Sequence, residues 1–262
     1  MMMDELLKFI IRCVEESGKI QKKHFQKTLK VKYKGDINLV TNVDLECQEK
    51  IISLIRREFP NDDILSEEQQ NVLSNAKNRW IIDPLDGTTN YAHGYPFFCT
   101  SLAYEKDGDL IAGAVYNPIF GELFYARKGY GSYLNGDRIK VSRIRDIKVA
   151  LLCTGFPYDL ATSKRNNIDN FLRFIFRAQA IRRDGSAALN LSYVAAGRFD
   201  GFWEIKLNPW DVAAGTLLVR EAGGIVTDFK GNPVDIYKDE ILASNGLIHA
   251  QMIEILNVEE GR

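Results

Sequence analysis

Residues Trp80 to Gly94 read WIIDPLDGTTNYAHG, an apolar strand that runs straight into two aspartates three residues apart. This stretch constrains the fold more than any other, because it sets two like charges where buried structure gives way to a turn. Proline after Asp83 biases that aspartate to extended backbone, so Asp83 is expected to end the buried strand RWII. Asp86-Gly87 makes the turn, and Thr88 stands where a helix N-cap belongs. A helix starting there leaves the N–H groups of Gly87, Thr88 and Thr89 available to an anion. The same few residues therefore offer carboxylates to a cation and amides to an anion.

Composition narrows the class. The chain has 262 residues, 45% hydrophobic and 26% charged, which suits a soluble globular protein large enough for one sizeable core. Its formal net charge of -1 provides no basic field to recruit nucleic acid or anionic lipid. Cys13, Cys47, Cys99 and Cys153 are scattered without a C-x-x-C pair, which argues for a reducing compartment and against structural zinc. The start, MMMDELLKFIIRC, lacks both a basic n-region and an apolar span of about 20 residues. These features together place the protein in the cytoplasm, with no membrane segment expected.

Along the chain, Leu6, Leu7, Ile10, Ile11, Val14 and Ile20 recur at helical spacing, so roughly the first 28 residues read as an amphipathic helix. A second helix follows NLVTNVD and stops before Pro60. DDIL, RWIID, FFCTSLAYE, LIAGAVYN and GELFYARKG read as successive strands, and KVALLCTGF as another. NNIDNFLRFIFRAQ and GSAALNLSYVAAG read as helices, DGFWEI as a strand, PWDVAAGTLLVREAGG as a helix closed by Gly223, and GGIVTDF as a strand. The expected organisation is one catalytic unit over 1–262, built from an N-terminal half (1–140) and a C-terminal half (141–262).

Other acids may be read alone or together with the aspartate pair. ILSEEQQ sets Glu67 and Glu68 after a strand, NLVTNVD sets Asp44 at the head of a helix, and NPWDVAAG sets Asp211 in a first helical turn. Taken singly, each has a plain structural explanation as a solvated loop or a helix cap worth about 0.3–1 kcal/mol. Taken together they do not fit that explanation. Two bare carboxylates about 4 Å apart repel by roughly 4 kcal/mol at an effective dielectric of about 20. The D-P-L-D-G-T-T segment contains no lysine or arginine, so a metal is the better counter-charge. All-oxygen ligands favour a hard ion such as magnesium, which binds through carboxylates and phosphate oxygens.

WIIDPLDGTTNYAHGYPFF and PWDVAAGTLLVREAGG both resemble the inositol monophosphatase family of magnesium-dependent, lithium-sensitive phosphatases, in its bacterial and archaeal type. NLVTNVD, SEEQ and RRDGSAALNLSYVAAGRFDGFWE extend the resemblance over nearly the whole chain. The resemblance implies an αβαβα sandwich, a homodimer, and hydrolysis of inositol-1-phosphate. Fructose-1,6-bisphosphate is an alternative substrate and a nucleotide 3′-phosphate a weaker one. It also implies that Glu67, Asp83 and the Leu85 carbonyl hold a first magnesium ion and that Asp83, Asp86 and Asp211 hold a second, with a third ion resting near Glu67. Gly87 and Thr88 would hold the phosphate, and Asp44 would accept a proton from the attacking water through the Thr88 hydroxyl. Asp86, Ala187 and Glu204 match positions that face substrate. The family's G-E-E reads Ser66-Glu67-Glu68 here, which changes the backbone but removes no ligand. Some bacterial relatives also partner the transcription machinery, so a second role is compatible.

Three further signals carry less. GYGSYLNG has only half of a dinucleotide fingerprint and reads as a strand bend. His24, His93 and His249 are isolated, with no zinc-binding pair. Arg182-Arg183 reads either as a solvated strand edge or, through Arg183, as a contact to a distal phosphate. An aspartyl phosphatase of the haloacid dehalogenase type fits poorly, because D-x-x-D-G-T puts Leu85 where its nucleophile belongs.

Overall fold

Apolar residues at helical spacing near the start form α1 (Glu5–His24) in the computed structural model, which describes residues 5–28, 31–33, 39–69 and 76–258. Leu7, Ile10, Ile11 and Val14 bury as the spacing requires, whereas Leu6 and Ile20 are only half-buried. The helix ends four residues before the expected 28, and the first four residues lie outside the described ones. Its second half turns polar on the buried side: Ser17 Oγ meets Thr100 Oγ1 at 2.6 Å, and Gln21 Nε2 donates to the Pro84 carbonyl at 2.8 Å. The first helix therefore grips the aspartate segment directly.

A short antiparallel ribbon, β1 (Val31–Tyr33) and β2 (Leu39–Thr41), leads into α2 (Asn42–Glu58). Thr41 caps α2, its hydroxyl accepting from the Val43 N–H at 3.1 Å, and Asp44 completes the capping box by accepting from the Thr41 N–H at 2.8 Å. The first large sheet contains β3 (Asp63–Ser66), β4 (Asn78–Asp86), β5 (Cys99–Lys106), β6 (Asp109–Asn117), β7 (Glu122–Arg127), β8 (Gly131–Leu134) and β9 (Asp137–Ile139), in chain order. Only β3 and β4 run parallel; the rest alternate. Between β4 and β5 lies a single short helix, α3 (Thr88–Ala92).

After a 3-10 turn (Ile147–Val149) come β10 (Leu151–Thr154), α4 (Ile168–Ile175), β11 (Ala180–Arg182), α5 (Ala187–Ala195), β12 (Gly201–Ile205), α6 (Pro209–Glu221), β13 (Ile225–Thr227), β14 (Glu240–Ser244) and α7 (His249–Leu256). The five strands order as β11-β10-β12-β14-β13. The stretch KVALLCTGF thus divides into a turn and a shorter strand, and α4 is shorter than NNIDNFLRFIFRAQ implied. Gly223, at φ +90°, follows α6 as expected.

Five layers result. α1 and α2 cover one face of the seven-stranded sheet, while α5 and α6 fill the space between it and the five-stranded sheet. On the far side, α4 and α7 close the second sheet. This is the expected αβαβα sandwich. Strand β4 is buried on both faces: Trp80 and Ile82 pack with α1 and α2, and Ile81 packs toward α5 and α6. The central helices sit close because Gly215 leaves room for Leu191, whose Cβ lies 2.5 Å from where a side chain at 215 would begin. Among the described residues, no helix is long and apolar enough to cross a membrane, and all four cysteines are free and buried.

His249 joins three elements. Its Nε2 pairs with Thr227 Oγ1 at 2.9 Å and its Nδ1 with Ser244 Oγ at 2.8 Å, tying α7 to β13 and β14. Burial holds this imidazole below the ordinary histidine value of 6.5, so on acidification the unfolded chain takes up the proton first. The stability contributed by neutral His249 is whole above pH 6.5 and is lost as pH falls through the lowered folded value. His249→Gln is expected to be less stable at about pH 7 by roughly 1–3 kcal/mol, because a buried hydroxyl loses its partner. Its Tm should fall less than wild type's between about pH 7 and about pH 5. Calorimetry at both pH values checks this, and an equal pH dependence would exclude His249 as a source.

Candidate active site

The site begins where β4 loses its regular pairing. Asp83 faces Ser101 and Asp86 faces Cys99, with the register broken across Pro84 and Leu85. The strand therefore continues to Asp86 rather than ending at Asp83. Proline cannot donate to the ladder, and its carbonyl is taken instead by Gln21 Nε2 and by Thr100 Oγ1 at 3.1 Å. The break puts both carboxylates at one end of the sheet, with Asp83 1% and Asp86 8% exposed.

Gly87, not Thr88, is the cap of α3. Its φ of +91° is easy only for glycine, and a side chain there would meet the Phe97 carbonyl at 2.9 Å. Thr88 is the first helical residue, and this frees its hydroxyl for other partners. Thr88 Oγ1 lies 3.0 Å from Asp44 Oδ1 and 3.0 Å from the Leu85 carbonyl, to either of which it can donate. Asp44 is fully buried and receives Thr41 on its other oxygen. Burial lifts the Asp44 carboxyl to about 6, against the pull of its Thr41 and Thr88 hydrogen bonds. It is a stronger proton acceptor than an ordinary aspartate, yet ionised at neutral pH.

Asp211 arrives from α6, whose third residue it is. Asn208 caps that helix and donates its N–H to Asp211 Oδ2 at 2.7 Å. Glu67, half-buried, follows β3. Burial raises the Asp83 carboxyl well above its ordinary value, and the charges of Glu67, Asp86 and Asp211 add to this. Burial likewise raises Asp211, followed by Glu67 and Asp86. Among the described residues, Asp83, Asp86 and Asp211 form no ion pair with lysine or arginine. Nor do any three acidic, histidine or cysteine side chains converge tightly enough to make a ready cage for a metal. The fit to a hard divalent cation rests instead on the donor set: carboxylates from β4 and α6 that repel one another and, among the described residues, pair with no lysine or arginine.

The facing wall comes from the C-terminal half. Ala187 opens α5, and Glu204 on β12 is 8% exposed. Burial drives the Glu204 carboxyl up to about 8, Asp86 adds to this, and the Arg183 guanidinium offsets part of it. Arg183 itself is exposed, one residue past β11. Glu67, Asp83, Asp86, Thr88, Asp44, Asp211, Ala187 and Glu204 thus lie near one end of β4, with Arg183 at the rim.

Three contributors carried no sequence signal. Ser186 Oγ donates to Asp86 Oδ2 at 2.6 Å. Tyr158, on the loop after β10 and about half exposed, bonds Thr89 and feels the charges of Glu67, Asp86 and Asp211. Gly155 leaves the space that Glu204 fills, since a Cβ at 155 would lie 2.2 Å from Glu204 Oε1. Gly155→Ala should therefore cost about 1–3 kcal/mol by overpacking. In a Glu204→Ala background the same change should cost under about 1 kcal/mol, because the clashing carboxylate is gone. Urea denaturation of the four proteins checks the coupling, and additive costs would show that the two residues do not compete for space.

A model of the inositol monophosphatase family matches residues 2–259. A fructose-1,6-bisphosphatase/inositol-1-monophosphatase of Thermotoga maritima is 38% identical over 257 residues, covering 97% of each chain. The Nus factor SuhB of Escherichia coli K12 is 39% identical, over 96% of this chain and 95% of its own. Among solved structures, an inositol monophosphatase from Anabaena sp. PCC 7120 superposes with a TM-score of 0.88 at 38% identity, over 96% of this chain and 94% of the other. An IMPase/NADP phosphatase complexed with Mg2+ and phosphate is 25% identical, with a TM-score of 0.86 over 97% of this chain and 95% of the other.

Proposed function

The chain belongs to the inositol monophosphatase family, and we propose that it is a magnesium-dependent phosphomonoesterase acting on inositol-1-phosphate. The observation that carries this reading is the mutual repulsion of Asp83, Asp86 and Asp211 beside a buried Thr88–Asp44 pair. Residues from both halves, 1–140 and 141–262, make the single catalytic unit. Glu67, Asp83 and the Leu85 carbonyl would hold one ion, Asp83, Asp86 and Asp211 a second, with a third near Glu67. Bound there, the ions neutralise charge that spreads over the phosphoryl group and lower the barrier to attack by water.

The protein's own groups do the rest. A water attacking phosphorus in line with the ester oxygen passes its proton to Thr88 Oγ1, which passes its own to Asp44 Oδ1 at 3.0 Å. Threonine alone is too weak a base, and the buried aspartate supplies the missing basicity. The new P–O bond forms as the ester P–O bond breaks, and the leaving alkoxide takes a proton from solvent while Asp44 returns one to solvent, giving inorganic phosphate and the free polyol. Gly87 and Thr88 orient the phosphate, while Asp86, Ala187 and Glu204 orient the hydroxyls of the polyol. Arg183 would take a distal phosphate, which keeps fructose-1,6-bisphosphate as the alternative substrate, ahead of nucleotide 3′-phosphates. Relative kcat/KM on inositol, fructose and nucleotide phosphates decides between them.

The protein is proposed to work in the cytoplasm as a homodimer. In support, α4 carries an outward apolar face, with Ile168, Leu172, Ile175 and Phe176 all exposed. A second role, in transcription, is favoured by the name Nus factor carried by a relative of 39% identity. Capture of RNA polymerase by both the wild type and Asp83→Asn would support it as separate from catalysis.

Three sets of outcomes follow for catalysis. Chelation should abolish turnover, millimolar magnesium should restore it and lithium should inhibit, whereas full turnover after chelation would end the metal reading. Asp44→Asn should lower kcat by roughly 10²–10⁴ with little change in KM, and Thr88→Val should match it. The double variant should lose little more than either single one. Hydrolysis should invert a chirally labelled phosphorus; retention, or a trapped phospho-aspartate, would overturn direct attack by water.

A further inference from the structure

Asp86 is held from a part of the chain a hundred residues away. Its Oδ2 accepts Ser186 Oγ at 2.6 Å and the Ala188 N–H at 2.7 Å, and the Ala187 amide also bonds the carboxylate. Ser186 is 1% exposed and is the cap of α5. The head of a nine-residue helix, with its partial positive charge, is thus aimed at one carboxylate.

The Asp86 side chain has two rotatable bonds and sits at an irregular strand end, so its own backbone does not fix the carboxylate plane. Ser186 Oγ and the Ala188 N–H, with the Cys99 thiol weakly at 3.9 Å, converge on one oxygen and fix that plane. None of these donors is a cation, so the carboxylate keeps its full charge for another ligand. Supporting groups of this kind are what orient metal-binding carboxylates. We propose that Ser186 is a positioning residue whose hydroxyl, with the α5 amides, sets the divalent-ion affinity of the site that contains Asp86. The arrangement also links ion binding to α5, the helix that begins with Ala187, so a shift of this helix changes affinity for metal as well as contact with substrate. The proposal rests on the reading of Asp86 as a metal ligand.

The test is direct binding of manganese, read from the electron paramagnetic resonance of free Mn2+, which needs no turnover. Ser186→Ala loses the donor and also the cap, since Ser186 Oγ accepts from the Leu189 N–H at 3.3 Å. Ser186→Gly loses the donor while keeping most of the capping preference. Both variants are expected to bind Mn2+ about 10–100-fold more weakly than wild type. Ser186→Thr, which keeps the hydroxyl, should bind within about threefold of wild type, well short of the about 10–100-fold loss expected when a supporting group is removed. The magnesium concentration for half-maximal activity should rise with the manganese Kd, while kcat at saturating magnesium recovers toward wild type. His249→Gln, destabilised away from the site, should bind Mn2+ like wild type. The proposal is overturned if Ala and Gly bind within twofold of a wild type that itself binds. It is equally overturned if only Ala is weakened, which traces the effect to the cap. A wild type that binds no Mn2+ removes the metal reading and this proposal with it.

Discussion

The rest of the structure depends on repulsion between buried carboxylates at the end of β4. Asp83, Asp86 and Asp211 raise one another's cost of ionisation, and among the described residues no lysine or arginine pairs with them. A fold selected for stability alone would place apolar residues there, since like charges that raise one another's cost of ionisation oppose folding. A cation-binding site needs such a cluster, and the surrounding scaffold keeps the charges in place.

That scaffold draws on nearly every layer. Gln21 from α1 and Thr100 from β5 hold the Pro84 carbonyl and so set the break in β4. The capping boxes of α2 and α6 are built on Asp44 and Asp211, so two residues proposed for chemistry also fix the helix starts that carry them. Asn90 Nδ2 donates to the Phe97 carbonyl and to the Asp184 carbonyl, both at 2.7 Å, joining α3 to the segment just before α5. Farther off, Arg79 on β4 donates to Glu105 at 3.1 Å and to Tyr237 at 2.6 Å, tying the loop after β13 to the first sheet. Geometry at the carboxylates is therefore a property of the whole sandwich.

Much of this was legible in the chain because each acid sits at a local landmark. Asp44 and Asp211 read as first-turn residues from their places in NLVTNVD and NPWDVAAG, and Asp83 and Asp86 flank a proline at the end of an apolar run. The αβαβα layering, by contrast, came from resemblance rather than periodicity, since α5 and α6 are too apolar all round to reveal which sheets they separate. Thr88 was misplaced as a cap because its residue type is the usual one, whereas the positive φ of Gly87 decided the matter. Ser186 and Gly155 were missed for a plainer reason. One acts through a hydrogen bond a hundred residues long in sequence, and the other through the absence of a side chain opposite Glu204. Neither leaves a local pattern.

The central claim is that the carboxylate repulsion is balanced by a divalent cation held between β4 and α6. Crystals grown without metal and then soaked in manganese test it most directly, by anomalous scattering at the manganese edge. The account predicts manganese between Asp83, Asp86 and Asp211, and its loss in Asp83→Asn crystals treated in the same way. A wild-type crystal with those carboxylates free of manganese at saturating concentration would contradict it.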